Sequence, residues 1–152
     1  MFVSLAGSMR ALVAIGGLSE TWNLSECESY SITKHSWSSF PALNIARHSS
    51  ASCLMPSNSL FSFSGKFRGH NGMHDWIGEV ESINIVRESE WRVLPRIQEL
   101  RNLSVLACLS FEEDILLFAF FNFQSKIYSY SQKDGQIRLH SVFPMVHSLN
   151  HS

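Results

Sequence analysis

The stretch KFRGHNGMHD, residues 66–75, sets Lys66, Arg68, His70 and His74 around Gly69 and Gly72, with Trp76 just beyond. His70 and His74 are four apart, a spacing that puts two rings on one side of a helix. A loop containing Gly and Asn fixes no such geometry, and Asp75 is the nearest further ligand, so no metal is expected here. Nor is the stretch a phosphate loop, because Lys66 follows the first glycine and no Gly-Lys-Ser/Thr closes the motif. A GxSxG nucleophile elbow is also absent from the sequence, and its many serines make any Ser/His/Asp assortment uninformative. What the stretch does offer is cationic hydrogen bonding beside a stacking ring, which suits an acidic peptide segment.

Composition narrows the remaining classes. The 152 residues carry a formal charge of -1 and are 45% hydrophobic, enough for one domain with a real core. No basic face is available to neutralise phosphates, so nucleic acid is not an expected partner. Cys27, Cys53 and Cys108 lie far apart in sequence with no CxxC pair, which suggests neither a zinc site nor a disulfide framework. The apolar opening MFVSLAGSMRALVAIGGL lacks a basic n-region and is interrupted by Arg10, and no run approaches the ~18 apolar residues of a membrane helix. An intracellular, cytoplasmic protein with reduced thiols is the expectation. The glycosylation triplets at Asn23, Asn102 and Asn150 would matter only in a secreted chain.

The elements that must position these groups read as strands. Short apolar runs bounded by Gly, Ser, Asn or Pro recur throughout: ALVAI, ASCLM, LFSFS, VESINIV, LSVLACL, DILLFAFF and KIYSYS. PRIQELRNL is short, opens on proline and earns at most one turn of helix. The runs also repeat. ESYSITKHSWSSFP aligns with ESINIVRESEWRVLP, matching Glu28 to Glu81, Trp37 to Trp91 and Pro41 to Pro95, while LVAIGG ending at Gly17 stands opposite LFSFSG ending at Gly65. A third, fainter copy runs through ILLFAFF and KIYSYS to Pro144. Four short strands recurring at about 50 residues are the mark of propeller blades.

An apolar strand ending in Gly16 and Gly17, a polar turn, Tyr30, Trp37, Pro41 and then Arg47 resembles the kelch repeat. The second unit keeps Gly65, Trp91 and Pro95 but has Ile83 in the tyrosine place, and the third has Ala119 and Phe120 where the glycines would stand. The resemblance implies an all-β, kelch-like β-propeller segment, with approximate blades 1–44, 45–98 and 99–146 in a single domain. It implies strands at 2–7, 11–16, 27–33 and 36–40, then 49–55, 60–64, 78–87 and 90–94, then 103–109, 115–121, 126–131 and 136–142. Because propellers close with roughly four to eight blades, three blades are expected to belong to a longer propeller, to be a remnant, or to pair with a second copy.

In kelch propellers, loops on one face hold a protein partner. Here those loops are LSETWNLSE, with Trp22, and 66–75, with Lys66, Arg68, His70 and His74. Arg47 and His48 fall on a connection between blades, where the resemblance places an arginine that is partly structural and sometimes meets ligand. Gly16, Gly17, Tyr30, Trp37, Pro41, Gly65, Trp91 and Pro95 are expected to serve packing, with Trp37 buried so that its loss costs on the order of 3 to 5 kcal/mol. Some kelch-type propellers are enzymes, such as the copper-radical oxidase of galactose, but its cross-linked Tyr-Cys and paired histidines have no counterpart here. The resemblance therefore implies a non-catalytic interaction module without cofactor, or else a scaffold piece.

Overall fold

Polar turns between apolar runs fold each strand back on its predecessor, and antiparallel sheets follow. A computed structural model describes residues 4–8, 11–20, 22–69 and 71–144. The first sheet runs β1 (Ser4–Ser8), β2 (Ala11–Leu18), β3 (Asn23–Ser31) and β4 (Ser36–Phe40) in spatial order. After β5 (Ala51–Leu54) and β6 (Ser59–Phe63) comes a separate hairpin, β7 (Lys66–Arg68) paired with β8 (His74–Trp76). The second sheet then resumes with β9 (Glu81–Asn84) and β10 (Arg92–Val93), in the order β10-β9-β6-β5. A 3-10 turn, Gln98–Asn102, leads to the third sheet: β11 (Ser104–Phe111), β12 (Asp114–Phe121), β13 (Gln124–Ser131) and β14 (Ile137–Pro144).

Three four-stranded antiparallel sheets therefore follow one another along the chain, and β5 packs between β1 and β11, so the first strands of all three sheets gather side by side. That arrangement is propeller-like. Among the described residues no helix is long and apolar enough to cross a membrane.

The second sheet departs most from the expected strands. The expected strand 78–87 contracts to Glu81–Asn84, because the Asn84 side-chain oxygen accepts from the backbone N–H of Val86 and Arg87 and turns the chain. Residues 66–75, expected as an open loop, instead form most of the β7–β8 hairpin. Gly69 N–H donates to the Met73 carbonyl at 2.8 Å, and Gly72 takes φ +76 at the turn.

Two cores result, one on each side of the middle sheet. Between the first and second sheets Ile15, Cys27, Leu43, Leu60, Ile83 and Trp91 are buried together. Between the second and third, Phe61, Phe63, Val80, Leu100, Ile115 and Leu117 form the centre of a larger cluster. Strand β6 feeds both, with Leu60 facing one way and Phe61 and Phe63 the other, so its last four residues are all buried. With both faces covered, even the polar Ser62 within the run is buried.

The glycines that end β2 and β6 have a packing role. A Cβ on Gly16 (φ +56) would stand 2.5 Å from the Arg47 carbonyl oxygen, and one on Gly65 (φ +106) 3.0 Å from that of His48. Both strands thus come close to one connector, and neither approach leaves room for a side chain. Gly17 adds a backbone hydrogen bond to the Arg47 carbonyl at 2.8 Å.

Of the four tryptophans, the two in matching places, Trp37 and Trp91, do not behave alike. Trp91 is buried, donates Nε1–H to the Pro41 carbonyl at 2.8 Å and meets Phe40 edge to face. Trp37 is 54% exposed and packs on Tyr30, its neighbour across β3 and β4, at a ring separation of 5.1 Å. Its expected burial between sheets is therefore corrected, because no described residue covers that face of the first sheet. Pro41 follows the last residue of β4 directly, and Pro95 lies two residues beyond β10.

Candidate functional site

Two polar segments distant in sequence meet at one end of the first and second sheets. The β2–β3 turn is fixed by Ser19, whose N–H donates to the Trp22 carbonyl at 3.0 Å while its Oγ accepts from Trp22 N–H at 3.0 Å. Trp22 is thereby held out, 63% exposed. Opposite stands the β7–β8 hairpin. Asn23 joins the two: its Nδ2 donates to the Arg68 carbonyl at 2.9 Å, and its Oδ1 accepts the Arg68 N–H at 2.8 Å. A side-chain amide that satisfies both groups of one residue copies a strand pair and fixes the spacing of the two loops.

Between them lies an open cleft of about 360 Å³, lined by Glu20, Trp22 and Asn23 on one side and Phe67, Arg68 and Gly69 on the other. Trp22 and Phe67 present exposed rings, and Arg68 adds a guanidinium whose Nη1 lies 3.5 Å from the Glu20 carbonyl. Exposed aromatics beside an arginine offer stacking and charge-assisted hydrogen bonding to a ligand.

Behind the hairpin sits a second group. Lys66 pairs with His48 through both backbone hydrogen bonds, at 2.8 and 3.0 Å, and its Nζ lies 4.5 Å above the Trp76 ring. His48 Nε2 is 3.0 Å from His74 Nδ1, and His48 Nδ1 is 2.9 Å from Ser49 Oγ. Burial, then the facing His74 and Lys66, hold the His48 imidazole below its ordinary pKa, so it favours the neutral form. Among the described residues no trio of His, Cys, Asp and Glu side chains could hold a metal.

Arg47, expected at a partner-facing connection, is fully buried and withdrawn from any partner. Its Nη2 donates to Glu81 Oε1 at 2.9 Å, and Nη1 donates to the Ser64 and Glu79 carbonyls at 3.0 and 2.8 Å. The remaining lone pairs of Glu81 accept from the backbone N–H of Asn44 and Ile45 and from Asn44 Nδ2. Burial lowers the Arg47 pKa, and the charge and hydrogen bond of Glu81 oppose that shift. This satisfied buried pair links the first sheet's connector to the second sheet.

Of the residues singled out in the sequence, Trp22 and Arg68 share the cleft, and His48, Lys66 and His74 group behind it. His70 lies outside the described residues. Sequence reasoning missed Glu20, Asn23, Phe67, Asn44 and Glu81. The one available signal was Glu81 itself, a lone acid entering the apolar run VESINIV.

No family model matches the chain, and no curated protein does either. Among solved structures, that of YjhT superposes with a TM-score of 0.72 at 11% identity, over 94% of this chain and 52% of that one. The likeness is one of fold. It covers all three sheets, and this chain spans about half the length of YjhT.

Proposed function

We propose that the chain is a kelch-like propeller segment acting as a non-catalytic protein-interaction module, with an acidic partner segment held between the β2–β3 turn and the β7–β8 hairpin. The observation that carries this reading is the Asn23–Arg68 pairing, which fixes two exposed aromatic rings and a guanidinium around one cleft. Lys66, engaged with Trp76, would add charge at the flank rather than direct contact. A cytoplasmic setting suits three free thiols.

The test uses a labelled peptide rich in Asp and Glu with one aromatic residue, measured by fluorescence anisotropy against its lysine-substituted counterpart. Trp22→Ala and Arg68→Ala should each weaken binding of the acidic peptide by ~10-fold, with melting unchanged because both side chains lie outside the cores. Equal binding of the two peptides, or full binding by both variants, would contradict the reading. A scaffold role within a larger propeller is favoured by a different observation, the exposure of Trp37 on the first sheet and of Phe111 and Phe143 on the third.

A further inference from the structure

The three thiols divide into a pair and a single. Cys53 lies on β5 and Cys108 on β11, the first strands of neighbouring sheets, which pack side by side. Cys53 is in the core between the second and third sheets and Cys108 packs against that core, half-buried, so the two side chains lie close together between the strands. Cys27 is on β3 in the other core, its thiol turned to the Ser25 carbonyl at 3.5 Å. Cys53 is buried and Cys108 is half-buried.

We propose that Cys53 and Cys108 are a redox-active dithiol that a peroxide converts to a disulfide, bolting the second sheet to the third along their first strands. The neighbouring Cys108 thiol lowers the pKa of Cys53, while Cys53 and then burial raise that of Cys108. Cys53 sulfur attacks one peroxide oxygen, the O–O bond breaks, and the departing hydroxide takes up the proton that Cys53 released. The resulting sulfenic acid is attacked by Cys108 sulfur. The S–S bond forms, the S–O bond breaks, and the Cys108 proton leaves with the hydroxide as a second water. Two thiols are oxidised, and one peroxide is reduced to two waters. The strands belong to separate sheets with no shared hydrogen-bond ladder, so forming the S–S bond requires one sheet to move against the other and breaks no ladder. A thiol reductant reverses the bond.

This inference does not depend on what the cleft binds. The purified full chain is treated with hydrogen peroxide, quenched with an alkylating agent under denaturing conditions, and mapped by mass spectrometry. The expected product has lost two hydrogens, carries a Cys53–Cys108 peptide link, leaves Cys27 alkylated, returns to the parent mass with dithiothreitol, and melts higher by ~4 °C or more. Cys27→Ser should cross-link as the parent does. Cys108→Ser should stop at an oxygen adduct on Cys53, read by the same mapping even if that variant is less stable. Oxygen adducts on separate cysteines with no link in the parent, or links to Cys27 or between chains in its place, would overturn the proposal.

Discussion

Trp91 and Trp37 hold the same place in two copies of one repeat, yet one is sealed and the other faces solvent. Trp91 closes the seam between the first and second sheets, against Phe40 and the Pro41 carbonyl. Trp37 stands in line with Tyr30 and Leu12 across three strands, on a face of the first sheet that no described residue covers. The third sheet shows the same contrast. Ile115, Leu117 and Ala119 point into the core, while on the other face of β12 Leu116, Phe118 and Phe120 are half-buried, and Leu109 and Phe111 on the adjacent β11 and Phe143 on β14 lie open. A blade-like sheet has two apolar faces, and among the described residues only the middle sheet has both covered. A residue's place in the repeat fixes its direction, and the neighbouring sheet decides whether it is buried.

If the seam is what distinguishes the two regions, its polar clasp should matter most. Arg47→Met leaves the Glu81 carboxylate buried without its cation and should cost ~3 to 5 kcal/mol in urea denaturation. A loss below ~1 kcal/mol would mean that apolar packing alone holds the first two sheets together.

A smaller effect should appear in the pH dependence of the hairpin's attachment. The folded pKa of His48 lies below its unfolded value, so the unfolded chain binds the proton more readily. Its contribution to stability is complete above the unfolded pKa of about 6.5 and is lost as pH falls toward the folded value. Melting temperature should therefore decline as pH drops below that point, and His48→Gln should flatten the decline. An unchanged slope in the variant would place the pH sensitivity elsewhere.

Much of the fold is legible in the sequence because strand signals are local. The alternating runs and their boundaries place the first and third sheets closely, with β4 at its expected residues 36–40 and β12 beginning one residue early. Gly16 and Gly65 have positive φ at strand ends, and a Cβ on either would crowd the Arg47–His48 connector, a constraint that belongs to the chain's own local geometry. What stayed hidden depends on partners far along the chain. Arg47 meets Glu81 only because the connector folds onto β9, and Asn23 meets Arg68 only because residues 66–75 form a hairpin. Cys53 and Cys108, distant in sequence, come together because β5 and β11 are neighbouring first strands. Trp37 was misplaced for the converse reason: its burial needs a sheet that the described residues do not supply.

The difference between the sealed seam and the open face is tested most directly by limited oxidation of the folded protein's tryptophans with N-bromosuccinimide, followed by peptide mapping. Trp37 and Trp22 should be modified first, while Trp91 stays protected until the chain unfolds. Protection of Trp37 equal to that of Trp91 would contradict the account.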